Sequence, residues 1–274
     1  TRLGLTVKNR YTGLLMNIGS FYMIIGDMEL SLKYYDESKS IMERIGLRNT
    51  FVYAKLLMNM GAVYQKKGSA DEAVRNFELS RRILEALELT GTGSYASLLV
   101  NIGVHMMERG DRDGALDFYA RAKKISEGLK LENTNEYASI LMNIAIIHSM
   151  NKNHDEAIAL YLRSKQIRDG LGLGKTRDYA TLLMNLGTNY RSKGNRTKAM
   201  EHYKQSDSLF RELGMTGNIS YGNLMLNTAS LYLDAGDKNM AGKLFRRAYD
   251  VYTKAGYTGR NRDLALKYAK MYGH

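Results

Sequence analysis

The 274-residue chain has no cysteine and no proline. Without cysteine it has no disulfide framework and no thiol chemistry, as expected of a cytoplasmic protein rather than a disulfide-stapled secreted one. Without proline, its helices have to start on other residues. No apolar run approaches the ~20 residues that a membrane-spanning helix needs, and the first residues do not have the shape of a signal peptide. Histidine is scarce, with five in the chain. His148 shares a column with Tyr22, Tyr64, Tyr190 and Tyr232 and reads as core. His105 has no second ligand three or four residues away, so no metal site is expected. Nothing resembles an activated nucleophile, and neither an enzyme nor a cofactor is expected.

What the chain does have is a period. Asn17, Asn59, Asn101, Asn143, Asn185 and Asn227 recur every 42 residues. Six residues earlier, Tyr11, Tyr53, Tyr95, Tyr137, Tyr179 and Tyr221 keep the same register. Such a period marks a stacked repeat array. In the copy from Tyr53 to Ser94, Leu57, Met60, Gly61 and Tyr64 lie at helical spacing on one face. Gly68 should end that helix, and Asp71 and Glu72 should open the next at its positive dipole end. The second stretch is expected to bury Ala73, Phe77, Ser80, Ile83, Leu84 and Leu87. The turn glycine recurs as Gly26, Gly68, Gly110, Gly194 and Gly236, with Lys152 the exception. At that turn, Asn151 is expected to take the left-handed conformation instead. Thr50, Thr92, Thr134, Thr176 and Asn218 stand three residues before the tyrosines, where they can cap the first helices.

The strings Leu-Leu-Met-Asn-Met-Gly-Ala-Val-Tyr (56–64) and Leu-Leu-Met-Asn-Leu-Gly-Thr-Asn-Tyr (182–190) carry a resemblance to the tetratricopeptide repeat. The 42-residue period resembles the kinesin light chain subgroup. The resemblance covers essentially the whole chain. It departs from the subgroup at the His-Pro pair that opens the first helix and at a proline late in the second, where Glu85 stands. It implies an all-α solenoid of six helix pairs with a C-terminal capping helix. The repeats are 11–52, 53–94, 95–136, 137–178, 179–220 and 221–262, and the cap is 263–272, with Leu264, Leu266 and Tyr268 apolar. The unbroken register makes 1–274 one quasi-one-dimensional domain. Arg2-Leu3-Gly4-Leu5 matches Arg44-Ile45-Gly46-Leu47, so the chain is expected to begin in the last turn of a preceding helix, as a fragment of a longer protein.

The net charge of +12 is uneven: residues 1–136 hold 19 basic and 17 acidic side chains, and residues 137–274 hold 21 and 11. A basic half can attract an acidic partner or serve as a solvated face. In tetratricopeptide arrays the first helices line the concave surface. Counted from the residue after each tyrosine, positions 2, 5, 6, 9, 12 and 13 lie opposite the packed positions 4, 8 and 11. Position 6 is the asparagine ladder. Position 5 holds Met16, Met58, Val100, Met142, Met184 and Leu226. Amides can bond any peptide backbone, while flexible methionines mould to its side chains. The same asparagines could instead set repeat stacking, and the same methionines could be interhelix core. Charged members are Lys55, Lys66 and Arg191 against Glu108 and Asp234. The kinesin light chain resemblance implies an acidic aromatic peptide at Lys55 and Lys66.

The leading function is therefore a scaffold that binds an extended peptide or partner segment, of kinesin light chain cargo-adaptor type. The alternative is a structural component of a cytoskeletal or ciliary assembly, held by its convex and basic C-terminal surfaces. A clamp for a terminal carboxylate is excluded because Met16 and Ser97 stand where it needs cations. Residues 170–176, Gly-Leu-Gly-Leu-Gly-Lys-Thr, imitate a phosphate loop but have three residues between the glycines where four are required. RNA recognition by helical repeats needs variable base-reading residues, whereas position 6 is invariant, so nucleic acid is not the expected partner.

Overall fold

The computed structural model describes residues 2–273, with side chains placed from Arg10 onward. The chain divides into two compact units, Thr1–Leu131 and Glu132–His274. The first unit holds α1 (Arg2–Ile25), α2 (Met28–Arg44), α3 (Phe51–Lys66), α4 (Ala70–Ala86), α5 (Gly93–Glu108) and α6 (Arg112–Gly128). The second holds α7 (Asn135–Met150), α8 (His154–Gly170), α9 (Arg177–Ser192), α10 (Arg196–Glu212), α11 (Ile219–Asp234), α12 (Lys238–Lys254) and α13 (Arg260–Tyr272). Among the described residues there is no strand. The expected all-α array of helix pairs is what forms.

The caps explain where the helices begin. The hydroxyls of Thr50, Thr92, Thr134 and Thr176, and the Asn218 amide oxygen, accept from the backbone N–H of the tyrosine three residues on. Each satisfies one of the donors that a helix start leaves open. Second helices start on Asp27, Asp111, Asn195 and Asp237 in the same way. The turn between paired helices takes a left-handed residue at Gly26, Gly68, Gly110, Gly194 and Gly236. In the fourth repeat that residue is Lys152 itself, at φ 64°. The expectation for Asn151 is thus corrected, since its φ is −84°. The Schellman geometry fixes which residue turns left-handed, and position outweighs the preference of asparagine. The loop between repeats has its own left-handed column at Gly46, Glu88, Lys130, Gly172, Gly214 and Gly256. Residues 170–176 form one of these junctions, after α8 and before the Thr176 cap.

Within each repeat the first helix packs on the second, and each first helix also meets the preceding second helix of its unit. Tyr35, Phe77, Tyr119, Tyr161, Tyr203 and Phe245 are all buried against the small residues of the pair. Gly61 shows how close the approach is. A Cβ there would lie 2.5 Å from the Phe77 ring. Buried serines add fixed points: Ser80 donates to the Ala54 carbonyl at 2.8 Å, Ser164 to Ala138 at 2.8 Å and Ser206 to Ala180 at 2.8 Å.

Three boundaries differ from expectation. Arg2–Leu5 belong to α1, which runs as one helix, so the match to the loop at residues 44–47 does not carry over. Leu87 is the C-cap of α4 and is exposed, because the helix ends before its side chain turns inward. The terminal helix begins at Arg260, and it buries Ala265 and Ala269 while Leu264 and Tyr268 pack at its edge.

Candidate peptide-binding face

The first helices are buried round most of their circumference, which narrows what a ligand can reach. In α3, Leu56, Leu57, Met60 and Val63 are buried, as are Tyr53 and Ala54. Lys55 and Lys66 are exposed, and Met58, Asn59, Ala62 and Gln65 are half-buried. The open stripe is therefore the one formed by positions 2, 5, 6, 9, 12 and 13.

In the first unit this stripe contains a shallow depression of about 780 Å³ between α3 and α5. Its walls include Lys55 and Met58 from α3, Phe51 at the start of α3, Leu89 from the loop, and Ser97 from α5. Phe51 is 39% exposed, an unusual exposure for a ring beside a cavity. Lys55 and Lys66 have no ion-pair partner among the described residues.

The asparagine ladder divides into two kinds of rung. Asn59 lies beside the Tyr35 hydroxyl, which bonds the Ser20 hydroxyl at 2.9 Å, in the first unit, and Asn185 lies beside the Tyr161 hydroxyl in the second. Burial raises the pKa of both tyrosines, and their polar neighbours partly offset that rise. Asn227 donates to the Thr188 hydroxyl at 3.2 Å, which also accepts from the Tyr203 hydroxyl at 3.2 Å. Asn227 thus bonds a neighbouring helix, and Asn59 and Asn185 face polar groups on one. Asn101 follows Phe77, whose ring has no hydroxyl to offer. Asn101 and Asn143 are half-buried, Asn17 is exposed, and none has a side-chain partner among the described residues.

The methionine row divides as well. Met16 and Met184 are only 7% and 6% exposed and belong to the core. Met58 and Met142 are half-buried and reach the open stripe. Arg191 is held by Asp234 from the next first helix, with Nε donating at 2.6 Å and Nη2 at 3.2 Å. That pair removes two of the five charges from the face and leaves Lys55 and Lys66 against Glu108.

Sequence reasoning missed two features. One is the tyrosine column's purpose. Tyr53 donates to Glu43 at 2.6 Å, Tyr95 to Glu85 at 2.7 Å and Tyr179 to Asp169 at 2.5 Å, each a carboxylate ten residues earlier on the preceding helix. The other is Arg168, a guanidinium 1% exposed and in no ion pair among the described residues. It bonds Asn135 at 3.2 Å and Ser139 at 3.0 Å, and Nη1 meets the Met142 sulfur at 3.5 Å. Leu84, Met42 and Phe210 fill the same column in other repeats, so the substitution was readable, but its contacts were not.

The tetratricopeptide repeat pattern matches residues 11–86, 52–128, 94–170, 136–210 and 178–254. The fold is similar to BtubC (BKLC) from P. vanneervenii, at 18% identity and TM-score 0.65, over 92% of this chain and 94% of that one. It is similar to a chain of the APC/C hetero-tetramer Cut9-Hcn1 at 14% identity and TM-score 0.71, over 94% of this chain and 42% of that one. A candidate kinesin light chain from Podosopora anserina with nearly identical TPR-like repeats aligns at 15% identity and TM-score 0.59, over 76% of this chain and 99% of that one. No curated protein sequence matches the chain. Among the described residues no helix is long and apolar enough to cross a membrane, and no cluster of three metal-ligating side chains occurs.

Proposed function

The chain belongs to the tetratricopeptide repeat family, whose arrays mediate protein–protein interaction, and on that footing we propose that it holds an extended peptide along its first-helix face. The observation that carries this is the depression beside Lys55 and Met58. One unpaired cation, Lys55, a half-buried thioether and an exposed ring border this cavity, and Lys66, also unpaired, stands at the far end of the same helix. An acidic side chain of the ligand meets Lys55 or Lys66, and an apolar one enters between Met58, Phe51 and Leu89. In the first unit Asn17 and Asn101 bond the ligand's main chain, and Asn143 is the open rung of the second unit taken by itself. Met142 is the apolar contact of the same kind in the second unit. Asn59, Asn185 and Asn227 serve stacking first, while Met16, Met184 and Arg191 support the face from behind or beside it.

A cargo-adaptor role of kinesin light chain type, with cytoplasmic and cytoskeleton-associated location, rests on the 42-residue register and the repeat strings. Structural likeness below 20% identity supports the fold alone. The test is fluorescence anisotropy with an acidic peptide carrying one aromatic residue. Replacing Lys55 and Lys66 together with alanine should weaken binding by about tenfold, roughly 1.4 kcal/mol. Unchanged affinity would exclude this face as the site.

A further inference from the structure

A second cavity, of about 290 Å³, opens in the second unit between α10, α11 and α12, away from the asparagine stripe. Met200, Met225 and Leu244 line it, and Met240 stands at its edge, 38% exposed. This volume admits one large side chain and is at the small end of ligand cavities. Methionine walls adapt to whatever apolar group enters.

The charges around it are unusual for this chain. Arg81 sits between Glu78 at 2.8 Å and Glu85 at 2.9 Å on α4. Lys123 pairs with Glu127 at 2.6 Å on α6, Lys165 with Asp169 at 2.8 Å on α8, and Arg211 with Asp207 at 2.7 Å on α10. On α12 stand Lys238, Lys243, Arg246, Arg247 and Lys254 with Asp250 as the sole carboxylate. Among the described residues none of these five cations is in an ion pair. Arg247 lines the cavity and lies over the Tyr221 ring, 5.4 Å from its centroid, which holds the guanidinium beside the opening. Lys204 from α10 lines the same opening, exposed and in no ion pair among the described residues, and the Asp207 carboxylate that also lines it is already taken by Arg211 at 2.7 Å. Unpaired surface cations are ordinary by themselves. Two of them flanking an apolar cavity are complementary to a ligand that is acidic outside and apolar at one point.

We propose that the α10–α12 surface docks an acidic segment of a protein partner, which inserts one large apolar side chain between Met200, Met225, Met240 and Leu244 and sets its carboxylates against Lys204 and Arg247. Nucleic acid would use the cations through its phosphates but has no aliphatic group to seat in the floor. An anionic membrane would engage the whole of α12 and would not need the cavity.

The experiment measures anisotropy of a short fluorescent peptide of glutamate and alanine carrying one central phenylalanine, with the full chain. Binding should fall at least about tenfold when that phenylalanine becomes alanine, and also in the Lys204→Glu, Arg247→Glu double variant. It should steepen as salt is lowered, because the cations are exposed. Met240→Ala, with neither charge altered, should weaken the phenylalanine peptide and spare the alanine one. The measurements are made in the Lys55→Ala, Lys66→Ala background, which weakens the first-helix face and leaves this site to be read by itself. Equal binding of the two peptides in that background, or binding that the Lys204→Glu and Arg247→Glu changes leave intact, overturns the proposal. So does no measurable binding at low salt, or binding of phosphatidylserine vesicles or oligouridylate in place of the peptide. Circular dichroism of each variant confirms that the fold is kept.

Discussion

His105 illustrates what a single residue costs this fold. It is 5% exposed, and neither ring nitrogen finds a partner among the described residues. Val63, Ile147 and Leu231 fill the same column in other repeats, all buried. A buried polar group without a hydrogen bond costs about 1–3 kcal/mol. His105→Ile should therefore stabilise the protein by about 1 kcal/mol, read as a rise in urea midpoint at unchanged slope. A fall in midpoint would mean that the ring is satisfied by solvent. Lys152 is a second case. Its left-handed backbone strains a residue with a Cβ by about 1 kcal/mol, and nothing replaces the glycine that other repeats use there. Lys152→Gly should return most of that, and an unchanged midpoint would show that the strain is relieved elsewhere. The turn itself was legible from the sequence, because glycine marks it in five other repeats. Which residue bears the strain was not, since it depends on the hydrogen-bond pattern at the helix end.

At the scale of the element, helices are joined by a hydroxyl–carboxylate bond repeated along the chain. The hydrogen bond from Tyr53 is the largest cause holding the Glu43 carboxyl below its usual value. A carboxylate with a lowered folded pKa adds stability above its unfolded value, near 4.3 for glutamate, and loses it as pH falls through the folded value. Tyr53→Phe should thus cost about 1 kcal/mol at neutral pH. The gap between the two proteins should close below about pH 4. A gap that persists in acid would assign the effect to packing of the ring. The alkaline side has the opposite sign. Burial first, then the bond to Asp207, pushes the Tyr221 phenol up to about 12. Its contribution is complete below about pH 10 and is lost as pH rises towards 12. Equilibrium unfolding should lose stability steeply in that window, and less steeply in Tyr221→Phe.

The tyrosine column was obvious in the sequence, yet its partner was hidden. Glu43, Glu85 and Asp169 stand ten residues before their tyrosines. At Tyr221 that slot holds Arg211, and Asp207, one turn earlier, takes over at 2.8 Å. Only helix packing brings these side chains together. Capping, by contrast, is local. The five first-helix caps and the acidic first turn of α4 could be read from spacing alone.

At the scale of the whole molecule, the repeat fixes architecture far better than it fixes contact. Six identical asparagines occupy one column, but their surroundings differ. Asn227 bonds the Thr188 hydroxyl, and Asn59 and Asn185 lie beside tyrosine hydroxyls, whereas Asn101 and Asn143 have no side-chain partner among the described residues. An invariant column therefore contains stacking rungs and open rungs, a distinction that sequence identity at the position conceals. The central claim is that the open rungs bond a ligand's main chain. The measurement that tests it most directly compares Asn101→Ala with Asn185→Ala, by thermal unfolding without ligand and by anisotropy with two peptides of unrelated sequence. Asn101→Ala should leave the melting midpoint in place and weaken both peptides by a similar factor, about 1 kcal/mol for one hydrogen bond. Asn185→Ala should lower the midpoint and change affinity less. If Asn101→Ala lowers stability and leaves both affinities untouched, the ladder is a stacking device throughout and the first-helix face is not the peptide site.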